Sequence, residues 1–123
     1  LIETLFGAIG KVWRADEKLF DAIAALSCST YLAMEALADG GVAACVPCDL
    51  AMCIASQTVV GAASMAFQTG KHPAQLKDEI AGPGGVAIAG VHELEKGGLR
   101  GTLMNAVVAV AECTQYPVQN QLS

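Results

Sequence analysis

A glycine loop that opens into a helix is the part of this sequence best suited to hold a small ligand. Residues 82–85 are Gly-Pro-Gly-Gly and are followed by Val86 and Ala87, which satisfies the bare pattern G-x-G-x-x-[GA] of dinucleotide-binding loops. That pattern has meaning only after a buried strand in a βαβ unit, because the glycines then form a tight strand-to-helix turn over the pyrophosphate. Residues 76–81 are charged and helix-like, so we predict no nucleotide site here.

Three of the five cysteines lie close together and suggest a metal site. Cys45, Cys48 and Cys53 form the pattern C-x2-C-x4-C. A tetrahedral zinc site needs a fourth ligand, and the other candidate ligands are distant in sequence. These are Cys28, His72, His92 and Cys113. Cysteine is often buried as a small hydrophobe, so we predict no metal site and five free, buried thiols.

The odd number of cysteines also bears on the compartment of the protein. Five cysteines, with no visible secretory signal, favour a reducing environment. We therefore expect a cytoplasmic protein. The two histidines lie far apart with no serine–histidine–carboxylate grouping around them, so we predict no hydrolase chemistry. We predict a surface or capping role for His72 and a solvent-facing or packing role for His92.

The composition indicates an oligomer and argues against nucleic acid as a partner. Of 123 residues, 54% are hydrophobic and only 15% are charged, compared with a usual charged share of about 25%. A small monomer cannot hide that much apolar surface, whereas an obligate interface can bury it. The net charge of −5 and seven scattered Lys and Arg residues do not suit phosphate binding.

One long stretch is free of charge and raises the question of a membrane span. Residues 50–70 contain no charged side chain, and 21 residues are enough to cross a bilayer. Several polar side chains make such a span costly, and no Lys or Arg asymmetry flanks it. We predict instead a helix in the middle of a bundle or crossing an interface, with no membrane as partner.

Helical periodicity and capping signals predict an all-α fold, a bundle of about five to six helices. The only strand-like segment, 11–14, is too short to build a sheet. The helix at 29–38 is expected to stop at the Asp-Gly-Gly of residues 39–41, and Gly70 is expected to end the long apolar helix. The predicted helices are 16–26, 29–38, 47–70, 72–79, 86–96 and 99–113.

Several blocks along the chain, in order and spacing, resemble the pyrroline-5-carboxylate reductase family. They are 5–10, 21–27, 35–41, 70–78, 83–100 and 103–107. The resemblance implies an N-terminal Rossmann domain that binds NADPH or NADH, followed by an all-helical C-terminal domain that interlocks with its partner to form a dimer. This chain matches only the second part. We therefore predict that residues 1–123 form a single helical dimerisation and substrate-side domain, and that the Rossmann domain is absent.

The resemblance also implies a role for the glycine loop, with two departures. In the family the loop helps to hold the substrate carboxylate, and its usual pattern is Ser-Pro-Gly-Gly-x-Thr. The two hydroxyl positions fall here on Gly82 and Ala87. Backbone N–H groups of the intervening residues can still bind the carboxylate, because a helix N-terminus binds anions. The substrate-binding residues implied, through their backbone only, are Pro83, Gly84, Gly85 and Val86.

A further departure precedes the second predicted helix. Relative to the family pattern Leu-Ser-Gly-Ser-Gly-Pro-Ala-Tyr, this chain is about four residues short between Ser27 and Glu35. Four residues correspond to about 6 Å of helix, or one turn. The fold can tolerate this shortening, whereas a catalytic alignment sensitive to about 1 Å cannot.

These observations lead to two functional hypotheses. The first is a C-terminal domain of a reductase whose family reaction is the NAD(P)H-dependent reduction of 1-pyrroline-5-carboxylate to L-proline. On its own this chain has no predicted catalytic residue or cofactor site, and we expect it to be inactive. The alternative is a non-enzymatic regulatory module that pairs with itself, as a homodimer or higher oligomer, or with an intact reductase.

Overall fold

Helices account for almost all of the described chain. The computed structural model describes residues 16–114, and a short 3-10 turn at Glu17–Leu19 leads into the first helix. The helices are α1 (Phe20–Ala43), α2 (Cys48–Thr69), α3 (Pro73–Ile80), α4 (Val86–Gly97) and α5 (Leu99–Thr114). No strand occurs between residues 16 and 114, which confirms the all-α prediction. The strand-like segment 11–14 lies outside the described residues.

Helix α1 is continuous where the sequence predicted two helices. The predicted break between 16–26 and 29–38 is wrong, because no glycine or proline interrupts this region and a run of Ser and Thr only weakens a helix. The Thr30 hydroxyl donates a 2.9 Å hydrogen bond to the carbonyl of Leu26 within the helix. Asp16, the predicted cap, makes no side-chain capping hydrogen bond.

The predicted stop at residues 39–41 is also wrong, because α1 runs on to Ala43. The helix ends in a Schellman motif, in which Val46 N–H bonds the carbonyl of Gly41 and Cys45 N–H bonds that of Val42, both at 2.9 Å. Gly41 does not terminate the helix but allows close packing. A Cβ atom on Gly41 would lie 3.3 Å from that of Ala51, so glycine here lets α2 approach α1 closely.

Cys45 occupies the left-handed position of this motif, with φ 75°. Glycine normally fills that position, since a Cβ atom there costs roughly 1–2 kcal/mol. We expect Cys45→Gly to raise the free energy of unfolding by about 1 kcal/mol, less a few tenths for the greater freedom of glycine in the unfolded chain. Urea unfolding followed by circular dichroism measures the change. Cys45→Ala is the control, because it removes the thiol but keeps the strain. An equal increase in the free energy of unfolding in Cys45→Gly and Cys45→Ala would contradict the prediction.

Helix α2 has the predicted bounds but little cover. Gly70 ends it with φ 68°, as the sequence indicated, whereas Pro47 lies at its N-cap, one residue before the helix, and not in its first turn. Among the described residues it is the one helix whose length and mean hydropathy of 1.6 reach those of a membrane span. Ala51 is its one fully buried residue. Within a single chain α2 is therefore not surrounded, so the prediction of a helix in the middle of a bundle is wrong for the single chain, and the alternative of an interface-crossing helix stays a prediction.

The helices pack as a thin layer with a very small interior. Helix α1 lies against both α2 and α5, and α4 contacts α5. The buried residues in the range 16–114 are Ala25, Ser29, Ala38 and Ala51. No large side chain in that range is fully buried. The prediction of buried thiols is accordingly wrong for the single chain: all five cysteines are exposed, because there is almost no interior to receive them.

Candidate functional site

The glycine loop forms a tight turn between α3 and α4. Gly85 N–H donates to the carbonyl of Gly82 at 3.2 Å, and Gly84 has φ 73°. Proline at the second position and a positive-φ glycine at the third are the features of a type II turn. The residues of the loop thus determine its shape locally. Gly85 becomes the N-cap of α4.

The turn decides which backbone groups remain for a ligand. Pro83 has no N–H, and that of Gly85 is used by the turn. The N–H groups of Gly84 and Val86 make no hydrogen bond within the described residues. Because Val86 begins a 12-residue helix, its N–H lies at the positive end of the helix dipole. The loop therefore presents two of the three N–H groups that the sequence suggested.

The loop adjoins an open apolar cleft of about 670 Å³. Its walls come from α2, α3 and α4, represented by Val59, Leu76 and Val91. Ala87, on the first turn of α4, also lines the cleft, so the loop and the cleft share a border. Lys77 is the one charged residue in this lining. A cleft of this kind can hold an apolar surface or ligand, but supplies no acid–base pair.

Helix α3, one wall of the cleft, is held at its start by two polar contacts. His72 Nδ1 accepts a hydrogen bond from Ala74 N–H at 3.1 Å, which confirms a capping role for His72. Lys71 Nζ lies 2.6 Å from Glu79 Oε1, so an ion pair connects the α2–α3 turn to the last turn of α3. Sequence analysis missed this pair, because a separation of eight residues is not a helix-neighbour spacing and only the turn brings the groups together.

We expect His72→Ala to loosen the start of α3. Loss of a side-chain cap costs about 1 kcal/mol, so hydrogen exchange at Ala74 and the following α3 amides should quicken about fivefold. Asparagine caps helices as well as any residue, and His72→Asn should keep exchange near that of the parent. Exchange measured by NMR checks both variants. Unchanged exchange in His72→Ala would show that the Lys71–Glu79 pair holds α3 without the cap.

The side-chain hydroxyls implied by the resemblance are absent from the loop. Gly82 and Ala87 stand at those positions, and Ala87 faces the cleft with no polar atom in its side chain. His92 is exposed on α4, as predicted. No group of three or more metal-ligating side chains occurs within residues 16–114. The loop retains two backbone N–H groups without a partner among the described residues, and Lys77 is the one titratable side chain that lines the adjoining cleft.

The second functional feature is the apolar surface itself. Large hydrophobic side chains on every helix are exposed, including Tyr31 at 70%, Val60 at 58% and Ile80 at 75%. Soluble monomers rarely expose contiguous apolar patches larger than a few hundred Å². A second opening of about 320 Å³ between α1 and α2 is lined by Leu37 and Ile54, both half-exposed or more. This surface has the character of an obligate interface, which resembles a core cut in half.

Comparison with known proteins shows a family match over most of the chain. The family described as "Pyrroline-5-carboxylate reductase dimerisation" matches residues 17–116. The chain is 69% identical over 116 residues to a pyrroline-5-carboxylate reductase of Pisum sativum, and 61% identical over 116 residues to one of Arabidopsis thaliana. Each match covers 91% of this chain and 42% of the relative. The chain thus spans about two-fifths of the length of these relatives.

Solved structures show the same fold. A pyrroline carboxylate reductase of Plasmodium falciparum with NADP bound matches with a TM-score of 0.77 and 32% identity, over 90% of this chain and 46% of that one. A pyrroline-5-carboxylate reductase of Coxiella burnetii matches with a TM-score of 0.77 and 30% identity, over 93% of this chain and 44% of that one. Both matches take in less than half of the solved chain.

The comparison in sequence also bears on the shortened segment. The match to the Pisum sativum protein extends over 116 positions but covers 91% of 123 residues, about 112. About four positions of the relative therefore have no counterpart in this chain. These coverages do not place the difference along the chain, so the shortening between Ser27 and Glu35 stays a prediction.

Proposed function

The chain belongs to the pyrroline-5-carboxylate reductase family through that family's dimerisation domain, and from this premise we propose that it serves as the C-terminal dimerisation and substrate-side domain of such a reductase. The observation that carries the proposal is the coincidence of the family match over 17–116 with apolar side chains exposed on every helix. A domain that leaves this much apolar surface open needs a partner to cover it.

The reaction we associate with the domain is that of the family, the reduction of 1-pyrroline-5-carboxylate to L-proline by NADPH or NADH. The chain contributes the loop of Pro83, Gly84, Gly85 and Val86, where two free N–H groups at a helix start can receive a carboxylate. It contributes no residue suited to hydride transfer in the described range. We infer that the chain alone binds no dinucleotide and turns over no substrate.

A second candidate function is that of a separate regulatory module, and the small interior of the chain favours it. Its apolar helices can pair with those of another copy, as a homodimer or higher oligomer. An intact reductase is an alternative partner, because 69% identity to a full-length relative leaves much of the interface chemistry in common. Such a mixed assembly would regulate the reductase by replacing one complete subunit. We propose a cytoplasmic location for either form, since an odd number of cysteines suits a reducing compartment.

Co-expression with a tagged full-length reductase of Pisum sativum tests the proposal. We expect the chain to co-purify with the reductase, and to form a dimer or larger oligomer when expressed alone. NADPH oxidation with 1-pyrroline-5-carboxylate should be at background level for the chain alone and reduced for the mixed assembly. A chain that remains monomeric at micromolar concentration would contradict the dimerisation role, and one that oxidises NADPH would contradict its inactivity.

A further inference from the structure

Helices α3 and α4, which flank the glycine loop, have little packing that holds them against the rest of the chain. Helix α1 packs on both α2 and α5, whereas within residues 16–114 α3 makes no extensive contact with another helix, and α4 packs mainly on α5, its neighbour in sequence. The buried residues of this range lie on α1 and α2, and neither α3 nor α4 contains one. The interior of the single chain thus lies around α1, away from the glycine loop.

The polar contacts of α3 and α4 are local. The Lys71–Glu79 ion pair, the His72 cap and the Lys96–Glu93 ion pair each join groups no more than eight positions apart. None of these contacts connects α3 or α4 to α2, and exposed ion pairs of this kind contribute little to stability. Helix α3 has 8 residues and α4 has 12, whereas isolated helices shorter than about 12–15 residues are marginal in water. Local contacts alone therefore do not fix these two helices in place.

The open cleft of about 670 Å³ is the place where tertiary contacts are missing. It separates Val59 of α2 from Leu76 of α3 and Val91 of α4, which are only half-buried. Ile80 and Leu94 line the same cleft and are 75% and 48% exposed. Apolar walls that stand apart in this way gain little from burial until another apolar surface fills the space between them.

A second copy of the chain is the occupant that fits this cleft. Val59 and Ala62 line both the cleft and the opening between α1 and α2, so the two form one continuous apolar surface, longer than a small ligand can cover. Lys77 is the one charged residue in the lining of the cleft, which calls for an apolar partner. Every helix of this chain exposes such side chains. The match to a dimerisation domain over residues 17–116 includes both walls of the cleft.

We propose that assembly with a second copy fixes α3, the glycine loop and α4 against α2, so that the loop reaches its final position only in the assembled protein. Apolar side chains of the second copy fill the cleft and hold the N–H groups of Gly84 and Val86 in place. In the single chain, α3 and α4 stay helical on average but open often. Carboxylate binding at the loop is thereby coupled to assembly, a coupling that rests on the dimerisation role proposed above.

Hydrogen exchange of the full chain, followed by mass spectrometry, tests this coupling. The assembled parent is compared with Ile54→Glu, a variant designed to block assembly. Ile54 lines the opening between α1 and α2 and not the cleft, so its substitution does not alter the walls formed by α3 and α4. We expect the amides of α3 and α4 to exchange at least about tenfold faster in the monomeric variant. Amides around Ala25, which is fully buried in the single chain, should change by less than about threefold.

Gln57→Glu is the matched control, because it adds the same charge at an exposed position of α2 that does not line the cleft. It should assemble and exchange as the parent does. If Ile54→Glu remains assembled, dilution of the parent until sedimentation shows a monomer provides the same comparison.

Two results would overturn the coupling and leave the dimerisation role intact. One is equal exchange of α3 and α4 in the monomeric and assembled forms. The other is a uniform loss of protection that includes the amides around Ala25, because assembly would then stabilise the whole chain and not these two helices. A parent chain that is monomeric at every concentration would contradict the dimerisation role and the coupling together.

Discussion

We expect Ile54→Glu to convert the assembled chain into a monomer. Ile54 lies on α2, is 50% exposed in the single chain and lines the opening between α1 and α2. A charge buried there without a partner on assembly costs about 3–5 kcal/mol. That cost corresponds to a weakening of the dimer by more than about 100-fold. Because the side chain is already half-exposed, the single chain should keep its helices.

Sedimentation over a range of concentrations measures this effect, with Gln57→Glu as the matched control. Gln57 is an exposed polar residue on the same helix, and its substitution adds the same negative charge. The control should assemble as the parent does. If Ile54→Glu also assembles normally, the interface does not include this part of α2 and the apolar surface on other helices must form it.

We expect Gly82→Ser and Ala87→Thr together to raise activity in a chimera that takes the segment corresponding to residues 27–35, and the portion that precedes the matched region, from the Pisum sativum reductase. The resemblance places substrate-binding hydroxyls at these two positions. One donor to an anchored or reacting group is usually worth 10²–10³ in rate. The two contributions are not additive, so we expect kcat/KM of the double variant to exceed that of the unsubstituted chimera by at least about 100-fold.

The loop can accommodate the side chains of Gly82→Ser and Ala87→Thr. A Cβ atom added at Gly82 meets nothing within 4 Å, and Ala87 already faces the cleft. Gly90→Ser is the control, because Gly90 lines the same cleft one turn further along α4 and its Cβ position is also open. The control should leave kcat/KM unchanged. A double variant that binds NADPH and dimerises but gains no activity would show that the hydroxyls are not what the chain lacks.

The sequence was a reliable guide wherever a single residue imposes its own backbone geometry. Pro83 and Gly84 predict the turn before α4, and the structure contains it. Gly70 ends α2 in the left-handed conformation for the same reason. The family resemblance, carried by glycine and proline positions of this kind, was confirmed over residues 17–116.

The errors arose where local preference competes with packing. The predicted break in α1 falls at weak helix formers near Ser27. Their cost per residue is only a few tenths of a kcal/mol, and helix packing overrides it. The predicted stop at residues 39–41 rested on glycine as a terminator. Gly41 is glycine because α2 passes close to it. The left-handed position that follows the helix is occupied by Cys45, a residue type that no propensity rule favours there.

Sequence alone thus determined the helical class, most helix ends, the family and the loss of hydroxyls at Gly82 and Ala87, because each depends on residue type and neighbours along the chain. The tertiary structure decided which N–H groups of the loop are left for a ligand, that Ser29 is buried, and that the cysteines are exposed. These properties depend on which helix surfaces pack against each other. No local sequence pattern specifies that packing in a chain whose apolar helices remain largely exposed.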